Sequence, residues 1–315
     1  MESSTLAVSA ADGTSLHTYR WLPDGPVAQK PARGIVQIAH GMAEHAARYE
    51  RFAEALTGAG YAVYANDHRG HGQTASPADH GYFADRDGFA TVVSDLSSVS
   101  EFAQAEHSGV PLVLFGHSMG SFLSRAYAAQ HGARLAALIL SSTAGDPGPV
   151  ASVGKRLSGV QARLRGRRHP SGLMDKLTFG QYNAKFKPNR TAFDWLSRDE
   201  AEVDKYVADP LCGNVFSAAF FTDLLGGVQQ VNSSGAFAAV PPDLPILVMS
   251  GELDPVGDNG KGPREVADKY RTAGVTDVTT TLYPDGRHEL LNDTIRDEVT
   301  TDVLAWLDER LPTRD

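Results

Sequence analysis

The sequence predicts an α/β protein with a mostly parallel sheet of about eight strands, covered by helices on both faces and interrupted by one helical insertion. Three observations carry that expectation. Short β-branched apolar runs alternate with amphipathic helical stretches along most of the 315 residues. The runs are nearly continuous in apolar residues, as strands buried on both faces must be. The alternation stops after Ser142 and resumes near residue 246.

Taken in order, residues 6–10 and 16–22 flank the turn pair Asp12-Gly13 and read as an antiparallel edge hairpin. Buried strands follow at 35–39, 61–65, 111–115, 135–140, 246–249 and 278–283. Between them, residues 49–59 set Phe52, Ala55, Leu56 and Ala59 at helical spacing. Residues 89–107 place Val92, Val93, Leu96, Val99 and Phe102 on one face, and 119–131 and 295–311 behave alike. Residues 146–235 contain no such strand. They are first rich in Gly, Pro and Arg, then in aromatic residues such as Phe179, Tyr182, Trp195 and Tyr206. The pattern predicts a core of 1–145 and 236–315 with a helical cap, 146–235, inserted between two sheet strands.

Composition narrows the class. With 42% hydrophobic and 21% charged residues the chain is too apolar, and its charges too well mixed, for disorder. No apolar run approaches the ~20 residues of a membrane-spanning helix. Met1-Glu2-Ser3-Ser4-Thr5 lacks the basic and apolar regions of a secretion signal, and the single Cys212 forms no internal disulfide; both suggest a cytoplasmic protein. The net charge of −9 argues against nucleic-acid binding and against adhesion to anionic membranes through the overall field. Oligomeric state is not legible.

The strongest chemical signal is Gly116-His117-Ser118-Met119-Gly120, a G-x-S-x-G that follows an apolar strand and opens a helix. That context holds a hydroxyl on a sharp turn, clear of the sheet. Serine is a poor nucleophile until a base takes its proton. His288, on the loop after strand 278–283, sits where the base belongs. An orienting acid should end an intervening strand, and Asp254, after strand 246–249, is the choice; Glu252 and Asp258 compete. The order Ser118, Asp254, His288 is that of the α/β-hydrolases rather than of the two common serine-protease orders. A tetrahedral intermediate needs preset donors for its oxyanion. The backbone N–H of Met119, at a helix N-terminus, is one, and that of Met42, on the loop after strand 35–39, is the other.

Other clusters carry less. His68 and His71 beside Asp67 lack the three or four convergent ligands of a metal site. The oxygen-rich stretch 254–260 lacks EF-hand spacing, Cys212 reads as a packed thiol, and no phosphate-loop or dinucleotide fingerprint is present, so neither metal nor cofactor is expected. Lys155, Arg156, Arg163, Arg165, Arg167 and Arg168 form the one basic cluster. It reads either as a solvated face or as a patch for transient contact with anionic lipid or micelles.

At these residues the chain resembles the monoacylglycerol lipase and lysophospholipase group of α/β-hydrolases, which shares its fold with serine aminopeptidases. The resemblance rests on His40-Gly41-Met42-Ala43-Glu44-His45 with Arg48-Tyr49, then Asp67-His68-Arg69-Gly70-His71-Gly72. It continues through Gly116 to Gly120, Asp254-Pro255-Val256 and Arg287-His288-Glu289 with Leu291-Asn292. It implies an α/β-hydrolase fold and hydrolysis of acyl esters by Ser, His and Asp without metal. The expected function is therefore a serine hydrolase acting through an acyl-enzyme on a small lipid-like ester, monoacylglycerol first. A lysophospholipase or broad carboxylesterase is the alternative, and a peptidase relative stays open because the pocket decides. A non-catalytic binding protein on the same fold is the rival from another class; the presence of Ser118 and His288 argues against it. Part of an apolar stripe in the cap, Phe216, Phe220, Phe221, Leu224 and Leu225, is expected to line an acyl tunnel, with Phe216, Phe220 and Leu224 as the wall. The alternative is that the stripe only fastens the cap to the core.

Overall fold

The computed structural model describes residues 1–311; residues 312–315 of the predicted second core segment lie outside it. Eight strands form one sheet: β1 (Glu2–Ser9), β2 (Ser15–Leu22), β3 (Ile35–Ala39), β4 (Ala62–Asn66), β5 (Leu112–His117), β6 (Leu135–Ser141), β7 (Ile246–Gly251) and β8 (Val278–Tyr283). Their spatial order is β1-β2-β4-β3-β5-β6-β7-β8. β2 pairs antiparallel with β1 and with β4, and the remaining neighbours are parallel. β1 starts earlier than the apolar pattern suggests. Ser3, Ser4 and Thr5 carry no apolar signal, yet pairing continues to Glu2 opposite Leu22.

The helices are α1 (Glu50–Gly58), α2 (Gly88–Glu106), α3 (Met119–His131), α4 (Pro149–Arg165), α5 (Gly172–Phe179), α6 (Glu200–Ala208), α7 (Ala218–Val231), α8 (Ser234–Ala238), α9 (Lys261–Thr272) and α10 (Arg296–Asp308). Side-chain alternation along the strands builds two cores. Leu112, Leu114, Leu138 and Leu140 pack with residues of α2, α3 and α9; Val113, Phe115, Ala137 and Ile139 pack with residues of α1 and α10. This is the α/β-hydrolase architecture, and burial on both faces is why the inner strand runs are nearly continuous in apolar residues. The apolar pattern misses α9, whose buried face is Gly262, Pro263, Val266, Ala267 and Tyr270 amid charged neighbours.

Between β6 and β7 lie α4 to α8, with one isolated bridge between Pro170 and Ser217. α7 is not a layer laid loosely over the sheet. Phe216, Phe220, Phe221 and Val228 join the same apolar cluster as α2 and α3. No helix among the described residues is long and apolar enough to cross a membrane.

Candidate active site

β5 ends at His117 and α3 begins at Met119, so Ser118 is the whole turn between them. Its backbone takes φ 51° and ψ −117°, a conformation that non-glycine residues adopt only when their surroundings enforce it. The enforcement is close packing. A Cβ on Gly116 would lie 2.5 Å from the Gly120 carbonyl oxygen, and one on Gly120 would lie 2.6 Å from that of His40 and collide with Ala39. Ser121 turns into the helix, where its hydroxyl donates to the Ser118 carbonyl at 2.6 Å.

His288 and Asp254 come from the loops after β8 and β7. The two side chains are 3.0 Å apart, Nδ1 to Oδ1. A carboxylate only accepts, so Nδ1 carries the proton and Nε2 is left as the basic nitrogen. Asp254 is fully buried and also accepts from the Val256 N–H at 2.9 Å and the Ser250 hydroxyl at 3.2 Å. The competing acids stand elsewhere: Glu252 reaches Arg264 and Asp258 reaches Lys261. Burial pushes the His288 imidazolium toward losing its proton. The charge of Asp254, its hydrogen bond, and then Glu289 and Glu44 act the other way, and the net direction is up from 6.5. A general base works only when neutral, so the acid limb of kcat/KM is expected to have its midpoint above pH 6.5. A pH–rate profile on a soluble ester checks this, and a midpoint well below 6 contradicts it.

The loop after β3 is held from three sides. The His68 N–H donates to His40 Nε2 at 3.0 Å, so His40 Nδ1 carries the proton and donates to the Gly41 carbonyl at 2.7 Å. Burial, and then the neighbouring His71, keep His40 neutral, with a pKa well below the usual imidazole value. The Gly41 N–H donates to Glu44 Oε1 at 2.6 Å. The Ala43 carbonyl accepts from the Tyr206 hydroxyl at 2.8 Å and the Gly213 N–H at 2.9 Å. Met42 is thereby fixed beside the turn that carries Ser118.

Under this loop lies a buried charge cluster that pattern reading passed over. Arg48 donates to Glu44 Oε2 at 2.7 Å and, with both terminal nitrogens, to Glu289 at 2.7 Å. Glu44 also accepts from the Tyr49 hydroxyl at 2.8 Å, and Glu289 from Asn292 Nδ2 at 3.1 Å. Burial alone would raise both carboxyls, but the Arg48 charge holds each below its usual range. The i,i+4 spacing of Glu44 and Arg48 was the available signal.

One cavity of about 450 Å³ connects these parts. Ser118, His288, Met42 and Met119 line it together with Leu224, Leu225, Val228, Phe122, Phe179 and Trp195. Asp254 sits behind His288. Two predicted wall residues require correction. Phe216 and Phe220 do not line the cavity; they are buried against His71 and Phe83, with ring centroids 4.7 and 4.4 Å apart. These rings pack deeper on the core side, whereas Leu224 and Val228, further along α7, touch both the core cluster and the cavity, and Leu225 reaches the cavity. His45, Asp209 and Cys212 also converge, with their donor atoms within 4.8 Å of one another. His45 Nε2 is engaged with Asp209 at 2.8 Å, and burial raises the Cys212 thiol out of its nucleophilic range.

A family model described as serine aminopeptidase, S33, matches residues 30–295. The chain belongs to that family. Within it, the chain falls in the monoacylglycerol lipase group of α/β-hydrolases and is an ester hydrolase. A monoacylglycerol lipase of Mycolicibacterium smegmatis is 31% identical over 293 residues, covering 91% of this chain and 90% of the relative. The monoglyceride lipase of Homo sapiens is 28% identical over 308 residues, covering 96% and 90%. Among solved structures, a thermostable carboxyl esterase from Bacillus coagulans in complex with glycerol shares 28% identity at a TM-score of 0.89, covering 98% of this chain and 99% of that one.

Proposed function

We propose that this S33-family hydrolase cleaves single-chain acyl esters, monoacylglycerols first, through an acyl-enzyme on Ser118. His288 Nε2 takes the hydroxyl proton as Oγ attacks the ester carbonyl, and Asp254 holds the imidazole and its transient charge. The N–H groups of Met42 and Met119 receive the oxyanion. Collapse of the intermediate breaks the bond to the alcohol oxygen, which leaves with the proton from His288. Water repeats the sequence to release the fatty acid. Residues 146–235 act as the cap over a core formed by the described residues 1–145 and 236–311.

The cavity carries this reading. It joins Ser118 and His288 to an apolar wall of Leu224, Leu225 and Val228, and its volume of about 450 Å³ suits one small ligand rather than a three-chain lipid. The named activities of the relatives and the glycerol in the esterase complex support it. Each methylene that enters an apolar wall contributes up to ~0.8 kcal/mol, so kcat/KM should rise up to about fourfold per methylene until the wall is full. Initial rates on monoacylglycerols, lysophospholipids, triacylglycerols and acetate esters test the proposal. Monoacylglycerols should exceed triacylglycerols, and medium acyl esters should exceed acetate. Leu225→Asn should flatten the chain-length slope, whereas Phe220→Asn should chiefly lower stability. Preference for acetate throughout, or triacylglycerol rates equal to monoacylglycerol rates, sinks the reading.

Contact with a lipid surface belongs to the same proposal. On α4, Val150, Val153, Leu157, Val160 and Leu164 recur at helical spacing and are exposed, while the Gly154 side of the helix meets Leu225 of α7. Arg167 and Arg168 of the basic cluster are engaged with Tyr82 and Asp79. Arg156, Arg163 and Arg165 stay on the outer part of the helix. An exposed apolar stripe edged by cations fits an anionic interface. Val153→Asp with Leu164→Asp should weaken co-sedimentation with vesicles containing anionic phospholipid about tenfold and leave hydrolysis of a soluble ester unchanged. Equal co-sedimentation refutes this contact.

A further inference from the structure

One contact of the base is unaccounted for by the triad. The ring of Trp195 lies against that of His288, centroids 5.0 Å apart at 41°, while the ring of His117 lies 4.8 Å away at 51°. Trp195 is 5% exposed and lines the cavity beside His288. Its placement is not incidental. The Trp195 backbone N–H donates to Asn183 Oδ1 at 2.8 Å. The segment around it is stitched to the loop that carries the base, on both sides of His288. Arg287 donates to the carbonyls of Asp194 and Ser197, and the Glu289 N–H donates to the Leu196 carbonyl at 2.7 Å. Phe179 and Tyr182 back the indole, centroids 6.1 and 5.0 Å away.

We propose that Trp195 is a positioning residue for the general base: its indole holds the His288 ring in orientation and its π-face stabilises the imidazolium that forms as Ser118 attacks. This rests on the triad assigned above. A cation over an aromatic face gains electrostatic energy that grows when water is excluded, and here the cation forms transiently during turnover and, below the acid limb, in the resting enzyme. His117 stays neutral, held down to about 4 chiefly by burial, so it brings no charge against the imidazolium, and of the two rings the indole offers the stronger π-face. The charged groups acting on His288 are Asp254, Glu289 and Glu44, and none changes when Trp195 is replaced.

The test separates bulk from face. Trp195→Leu keeps most of the apolar volume and loses the π-system; Trp195→Phe keeps a face. Labelling rates with a fluorophosphonate, measured across pH, report Ser118 reactivity without assuming a substrate. Trp195→Leu should label about tenfold more slowly, with its acid limb moved to lower pH, and should lose kcat rather than gain KM on a soluble ester. Trp195→Phe should recover most of both. If Trp195→Leu matches the wild type in rate and in pH limb, the proposal is wrong and the triad stands. If it is slow but keeps the wild-type limb, or Trp195→Phe is equally slow, Trp195 is packing only. If the wild-type protein does not label at all, it is the triad reading that fails.

Discussion

Asp254→Asn is expected to lower kcat by about 10⁴, the loss a serine triad suffers when its acid no longer holds the imidazole tautomer. The structure gives the reason. Asp254 Oδ1 accepts from His288 Nδ1 at 3.0 Å, and an amide presenting its NH₂ there would turn the proton to Nε2 and remove the base. Ser118→Ala removes the nucleophile and should fall at least as far. The two changes together should cost hardly more than Ser118→Ala alone, because the groups act as a unit. Glu252→Gln and Asp258→Asn should stay near wild type, since their carboxylates face Arg264 and Lys261 rather than His288. Steady-state rates and fluorophosphonate labelling read the difference. An Asp254→Asn enzyme with near-normal turnover would reassign the acid.

Legibility followed the physical range of each signal. Strands buried on both faces must be largely apolar, so β3 can be read to the residue and the other inner strands to within two, while the half-buried edge strand β8 is read from its β-branched run Val278–Thr281. The turn at Ser118 needs small neighbours within the same pentapeptide, so sequence alone points to it. Met42, Asp254 and His288 are likewise placed by where strands end. What was illegible depends on partners far apart in the chain. Arg48 meets Glu289 across the fold, and Trp195 meets His288 only because Arg287 and Glu289 bind carbonyls of residues 194–197. The stripe of α7 showed which residues share a helix side but not which way that side faces. Phe216 and Phe220 therefore looked like cavity wall until their packing on His71 and Phe83 was seen.

Arg48→Met should be the most damaging change outside the triad. Arg48 is buried between two carboxylates, Glu44 and Glu289, and makes 2.7 Å bonds to both. Methionine fills similar space but leaves two buried anions facing each other. Removing one partner of a buried ion pair typically costs ~3–5 kcal/mol, because the remaining charge keeps its desolvation penalty without its compensation. The mutant should relieve this by taking up protons, so its stability deficit should shrink as pH falls toward the carboxylate range. Activity should drop with stability. Glu44 Oε1 holds the Gly41 N–H at 2.6 Å, and Gly41 precedes Met42, whose amide is the proposed oxyanion donor. Neutralising the orphaned carboxylates, in Arg48→Met with Glu44→Gln and Glu289→Gln, should restore much of the lost stability but not the full rate, since a neutral amide holds the Gly41 N–H less firmly. Denaturant titration at two pH values, alongside kcat, tests each step. An Arg48→Met protein with the wild-type denaturation midpoint would show that the cluster neither holds the fold together nor anchors the loop.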